Sequence, residues 1–344
     1  MTPLSTTISQ KRVLLVKPIE GSKPDRSHFR TVSVTEPVPE LVDNAVLVKN
    51  LIFSLDPYVK PADYTAIDGS PVVGFGIATV VKSKNDEFPV GAILFGPLHW
   101  EEYTVLDQMA LAEGFRLDQA LDRDVPLSVY NGILGLTGLT VWDSLNFVGN
   151  LKAGETIYIS SAAGTLGQLA GQLAKRKGLR VIGSAGSDEK VAFLKSELGF
   201  DGAFNYKTQD KRQALTELVG EKGLDIYYDL VMDDTLDVAL ELLNAHGRII
   251  GIGALSVHQG QAPYAPKNLM ALIEKSLRYE GYMVYERFDQ LEAFWKELTP
   301  LVKSGEIKSG ETLVQGSIED LTETYLKFLN GGYTGKVNIE VAKN

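Results

Sequence analysis

The chain of 344 residues contains no cysteine. That absence excludes disulfides, a disulfide-stapled secreted scaffold, thiolate metal sites and cysteine nucleophiles. Histidine is nearly as scarce. His28, His99, His246 and His258 are the four in the chain. No two of them stand at a ligand spacing such as HxxxH, so no metal is expected. Positive charge is also short: 34 Lys and Arg stand against 44 Asp and Glu, a formal net charge of −10. Affinity for nucleic acid comes from clustered cations, so the expected partners are small molecules or proteins and not nucleic acid. The first ten residues are polar and lack an apolar core, so no secretory signal is expected. Two long runs lack charge, residues 125–142 and 156–174. Each is interrupted by glycines and by hydroxyl or amide groups, which reads as buried soluble segments and not as bilayer spans. The expected location is cytoplasmic, with no membrane partner.

What is present is enough for two domains by length, with 44% apolar and 23% charged residues. The two halves are patterned differently. Eight of the fourteen prolines fall between residues 20 and 100. Proline breaks helices and central strands, so this half reads as a compact all-β unit. Its expected strands are Lys11–Lys17, Val46–Leu55, Phe75–Val81, Gly91–Phe95 and Glu102–Leu106. After residue 127, strand and helix patterns alternate. Expected strands are Thr156–Ser160, Arg180–Ser184, Ala203–Tyr206, Asp225–Val231, Arg248–Gly253 and Gly281–Tyr285. Helices lie between them; in Leu166–Lys177 the residues Leu166, Leu169, Ala170, Leu173 and Ala174 share one face. Strands separated by helices of this length imply crossovers and a parallel sheet. The tail departs from the alternation, with helices Leu291–Lys303 and Asp320–Leu329 and a strand Lys336–Val341. It is expected to return to the β unit.

The sharpest motif is Ser160-Ser161-Ala162-Ala163-Gly164-Thr165-Leu166-Gly167. It follows a strand, opens a helix and fits A-x-G-x-x-G. Small residues let backbone approach a pyrophosphate, and the helix N-terminus offers N–H groups and the positive end of its dipole. Ala162, Gly164, Thr165, Leu166 and Gly167 are therefore expected to bind a dinucleotide. An NAD-specific site normally places Asp or Glu about 20 residues beyond the glycines. Here Gly183-Ser184-Ala185-Gly186-Ser187 occupies that place, with Lys190 on the next helix. Small hydroxyls and a lysine accommodate a 2′-phosphate that a carboxylate would repel. NADPH is the expected cofactor, with Ser184, Gly186 and Lys190 in contact.

The segment AAGTLGQLAGQLAKRKGLRVIGSAGSDEKVAFLK, with FNYK at 204–207, resembles the medium-chain dehydrogenase/reductases. The resemblance is closest to their zinc-independent branch, the leukotriene dehydrogenase/prostaglandin reductases and plant alkenal double-bond reductases. Ser54-Leu55-Asp56-Pro57-Tyr58, Leu134–Thr140, Trp100-Glu101-Glu102-Tyr103 and Gly335-Lys336 are similar to motifs of that branch. The resemblance implies an α/β fold: a GroES-like β domain, 1–128 plus 305–344, and a Rossmann doubly wound parallel sheet, 129–304. It implies an active site in the cleft between them. It implies Lys190 and Tyr206 on the 2′-phosphate, further cofactor contacts at Val231, Gly253 and Tyr333, and homodimers formed through the last Rossmann strand, here Gly281–Tyr285.

Three positions depart from the family. Its D-N-V-G-G reads Asp229-Leu230-Val231-Met232-Asp233 here. A tyrosine after the fifth strand is His258. The asparagine of G-x-N-x-G-K is Tyr333. The implied reaction is NADPH-dependent reduction of the carbon–carbon double bond of an α,β-unsaturated carbonyl compound, here a specialised metabolite and not the common alkenals. His258 or Tyr58 is expected to polarise the carbonyl oxygen. The alternatives are a quinone reductase or alcohol/ketone dehydrogenase of the same fold, or an NADPH-binding protein with a non-redox activity.

Overall fold

A computed structural model describes residues 6–17, 19, 24–57, 60–61, 69–259 and 261–343. The chain divides into two units, Met1–Gly135 with Glu311–Asn344, and Leu136–Gly310.

The first unit is built on a mixed sheet. Its path runs Glu311–Gln315, Lys336–Glu340, Val46–Leu55, Ser70–Ser83, Thr7–Leu15 and Phe29–Pro37. Ile93–His99 pairs onto Ser70–Ser83, and Tyr103–Leu106 onto Val46–Leu55. The tail returns to this unit, with Val337 opposite Leu55 in an antiparallel pair. Helix Leu321–Leu329 adds Tyr325 to the core, where its ring meets Trp100 edge-on at 5.5 Å. Phe29 stacks on Trp100 at 6.1 Å and meets Tyr325 edge-on at 6.1 Å, so the three rings form one cluster.

The second unit holds six strands: β1 Thr156–Ile159, β2 Arg180–Ala185, β3 Gly202–Asn205, β4 Leu224–Asp229, β5 Leu243–Gly251 and β6 Arg278–Gly281. Helices α1 Thr165–Arg176, α2 Asp188–Ser196, α3 Lys211–Val219 and α4 Thr235–Leu242 connect the first five. All pairings are parallel and the order is β3-β2-β1-β4-β5-β6. This is the doubly wound Rossmann order, whose topological switch point lies between β1 and β4. Every residue of β1 is buried, as a sheet covered on both faces requires. Tyr158 of β1 stacks between Phe204 at 6.0 Å and Tyr227 at 5.2 Å. In α1, Leu169, Ala170, Leu173 and Ala174 are buried as expected, each large one contributing about 1.5–3 kcal/mol. Arg248 joins β5 to the entry of β1 by a bidentate pair with Glu155, at 2.9 and 2.8 Å.

One expected strand is displaced. The sixth is Arg278–Gly281, and Gly281–Tyr285 continues it only through Gly281. The chain leaves the sheet because Tyr282 donates its hydroxyl to buried Asp143 at 2.9 Å and Val284 enters a short 3₁₀ turn. Among the described residues, no helix is long and apolar enough to cross a membrane.

Candidate functional site

The phosphate loop sits between β1 and α1, at the carboxyl edge of the sheet where such folds bind ligands. Ser161 holds φ +49°, and Gly164 is the N-cap of α1. No side chain caps that helix and no acidic residue lies in its first turn. Its dipole end is thus left to an incoming anion. Gly167 has a steric requirement: a Cβ there would stand 2.5 Å from the Ala162 Cα. Helix and loop pack too closely for any side chain at that position. The Ala162 N–H donates to the Ser184 carbonyl at 2.8 Å, which ties the loop to the end of β2.

At the end of β2, the Ser184 hydroxyl bonds the Tyr158 hydroxyl at 2.9 Å. It is turned into the core, so its side chain braces the strand end. Ser187 caps α2 by accepting from the Lys190 N–H. A Cβ on Gly186 would stand 2.9 Å from the Tyr206 hydroxyl, so glycine keeps that corner open. Burial lowers the pKa of the Lys190 ammonium, and repulsion from Lys207 lowers it further. Lys207 Cε lies 3.2 Å from where the Gly186 Cβ would be, so Tyr206 and Lys207 line the Gly186 corner, with Lys190 in charge range of Lys207. Tyr206 is raised, first by burial and then by the charge of Asp233. Asp188, in the first turn of α2, accepts from Asn205 Nδ2 at 2.7 Å.

The loop after β4 is organised by two residues that are not among the expected site residues. Asp229 is fully buried. Its Oδ1 accepts from the Tyr227 hydroxyl and from the N–H groups of Val231 and Met232, at 2.9, 3.0 and 2.9 Å. Burial pushes its carboxyl above the usual range, against the pull of those donors. Ser256 caps the loop from the other side, with Oγ 2.8 Å from the Val231 carbonyl and 2.9 Å from that of Met232. The signals in the sequence are the place of Asp229 at the head of the Asp229–Asp233 motif and that of Ser256 two residues before His258. Gly253 rests on the Leu230 carbonyl, 3.1 Å from where its Cβ would be. His258 ends the short helix Leu255–His258 and is exposed.

The second unit therefore gathers Ala162, Gly164, Thr165, Leu166, Gly167, Ser184, Gly186, Lys190, Tyr206, Val231, Gly253 and His258. Tyr333 belongs to the first unit, where its ring receives Lys327 Nζ at 4.6 Å and packs against the core. Tyr58 lies outside the described residues. Asp56, two residues before it, pairs with buried Lys336 at 2.7 Å. Among the described residues, no group of three or more His, Asp or Glu could hold a metal ion.

Residues 11–113 match a family described as the N-terminal domain of oxidoreductase, and residues 165–303 match one described as zinc-binding dehydrogenase. The chain is 34% identical to the NADP(+)-dependent 2-alkenal reductase of Nicotiana tabacum, over 99% of this chain and 100% of that protein. It is 33% identical to (+)-pulegone reductase of Mentha piperita, over 96% of each. The crystal structure of CurA in complex with NADPH from Vibrio vulnificus superposes with a TM-score of 0.82 at 26% identity, over 97% of this chain and 100% of that one. The chain belongs to the medium-chain dehydrogenase/reductases, in the zinc-independent branch that includes alkenal, pulegone and prostaglandin reductases.

Proposed function

We propose that this protein is an NADPH-dependent ene-reductase that saturates the carbon–carbon double bond of an α,β-unsaturated carbonyl compound. The observation that carries the reading is the Gly186 corner, lined by Tyr206 and Lys207 with Lys190 in charge range of Lys207, together with an uncapped α1, in a chain similar along its length to alkenal and pulegone reductases. A Cβ would fill that corner, and its two ammonium groups suit a dianionic 2′-phosphate. Ala162, Gly164, Thr165, Leu166 and Gly167 would hold the pyrophosphate. Val231, Gly253 and Tyr333 would complete the cofactor contacts. When bound, NADPH would supply the hydride that the β-carbon receives, and a proton from solvent completes the saturation at the α-carbon. The protein's remaining task is to orient the enone and stabilise the negative charge that develops on its oxygen. His258 is the proposed donor to that oxygen, with Tyr58 as a second polar contact. The first unit, expected as 1–128 plus 305–344 and found as 1–135 plus 311–344, serves as the substrate domain, and the second, 136–310, as the NADP-binding domain.

The test follows NADPH oxidation with an alkenal, with pulegone and with a simple benzoquinone, together with calorimetric titration of both cofactors. Enone-dependent oxidation is expected, and NADPH should bind more tightly than NADH. NADH has no 2′-phosphate, and each charge-assisted bond to that group is worth on the order of 1.5–3 kcal/mol at most. Equal affinities would overturn the cofactor assignment. Quinone turnover without enone turnover would overturn the reaction.

The same reading includes a cytoplasmic homodimer joined along β6. That strand is an edge with one hydrogen-bonded neighbour, and Arg278, Tyr279 and Gly281 are exposed. Leu269, Met270, Ile273, Met283 and Tyr285 are exposed close by in sequence. An unpaired edge among apolar side chains suits sheet extension across a two-fold axis. Light scattering should give twice the chain mass; a single 37.6 kDa species at micromolar concentration would contradict the dimer.

A further inference from the structure

Met232 stands in the left-handed region, with φ +58°. A side chain other than glycine is disfavoured there unless its surroundings compel it. The surroundings are two side chains acting from opposite sides. Asp229 takes the N–H groups of Val231 and Met232 on one carboxylate oxygen. The buried Ser256 hydroxyl lies within hydrogen-bond reach of the carbonyls of the same two residues. The Ser256 N–H adds a bond to the Val231 carbonyl at 3.1 Å, and the Leu255 N–H one to Leu230 at 3.3 Å. The turn so held is placed where a ligand would meet it. It follows β4, and the phosphate loop follows β1, on the two sides of the switch point. Ser160 joins them, its Oγ accepting from the Leu230 N–H at 2.9 Å.

We propose that Ser256 is a positioning residue for the cofactor: its hydroxyl locks Met232 left-handed and so shapes one wall of the dinucleotide crevice. The inference rests on the NADPH reading above. Ser256 itself touches backbone and makes no contact with the cofactor in this scheme. In this scheme its influence on NADPH affinity runs through the conformation of residue 232. Glycine adopts positive φ freely, so a chain with glycine at 232 has no need of the lock. This separates a positioning role from a general packing role.

The experiment is calorimetric titration of NADPH into the full-length wild type, Ser256→Ala, Met232→Gly and the double variant. Ser256→Ala should weaken NADPH about tenfold, the loss of one hydrogen bond's net worth. In the Met232→Gly background the same serine substitution should change affinity by less than about twofold. Ser256→Ala binding NADPH like wild type overturns the proposal. So does an equal loss in both backgrounds, because the serine would then act elsewhere than through residue 232. If the wild type binds no NADPH, the cofactor reading falls first and takes this inference with it.

Discussion

Replacing His258 with alanine is expected to slow enone reduction by about 10²–10⁴-fold while NADPH affinity stays nearly unchanged. The expectation follows from position and chemistry. His258 ends a four-residue helix just past β5, at the carboxyl edge of the sheet. That helix is secured at its second residue, because Ser256 is bonded to the loop after β4 by both its N–H and its hydroxyl. The residue is exposed. An exposed residue on a fixed base can meet a substrate without first being pulled out of a core. As the β-carbon gains its hydride, negative charge grows on the carbonyl oxygen, and a donor aimed there lowers the barrier. Imidazole is suited to this because its ordinary pKa lies near neutrality. His258→Tyr should retain part of the rate, since a phenol also donates. The measurement is single-turnover NADPH oxidation at saturating enone. An alanine variant within a factor of about two of wild type would return His258 to the standing of a loop residue.

The contrast between what can be read in the sequence and what cannot follows the range of the interactions. Val46–Leu55 and Leu291–Lys303 are found at the expected boundaries, because local apolar periodicity decides both. Ser187 caps α2 as expected, since capping needs only residues three apart. The sixth strand departs from its expected place for a complementary reason. Tyr282 and Val284 alternate like a strand, but the Tyr282 hydroxyl is claimed by Asp143, 139 residues away. Arg278–Gly281 forms the strand instead, although its exposed side chains carry no strand pattern. The site shows the same division. The loop, its helix and the carboxylate-free end of β2 are contiguous and legible. The orientation of Ser184 is not, because the hydroxyl that would suit a phosphate is bonded to Tyr158. The hold of Asp229 and Ser256 on Met232 is also hidden, since parallel pairing of β4 and β5 alone brings residues 25 apart into contact.

Replacing Lys336 with methionine is expected to destabilise the first unit by about 3–5 kcal/mol. The sequence shows Gly335-Lys336 and Ser54-Leu55-Asp56-Pro57-Tyr58 as separate motifs, near opposite ends of the chain. In the fold they are partners, 280 residues apart in sequence, with Lys336 Nζ 2.7 Å from Asp56 Oδ1. The Lys336 side chain is 4% exposed and that of Asp56 17%. Ser54 donates its hydroxyl to the other Asp56 oxygen, so the carboxylate is bonded on both sides. Register explains the geometry, because Val337 lies opposite Leu55 and sets the adjacent residues against each other. Methionine fills a similar volume but leaves the Asp56 charge largely buried beside an apolar chain. Most of the expected loss comes from that stranded charge and not from the attraction removed. A second substitution separates the two contributions. Adding Asp56→Asn to Lys336→Met removes the charge and should recover a large part of the stability, with a coupling of about 0.5–3 kcal/mol between the sites. Urea unfolding of the four proteins, in a background where Trp142 and Trp295 are phenylalanine so that Trp100 alone reports on the first unit, measures both quantities. A single variant that loses less than about 1 kcal/mol would show that the pair is bypassed by solvent and holds no such charge in place.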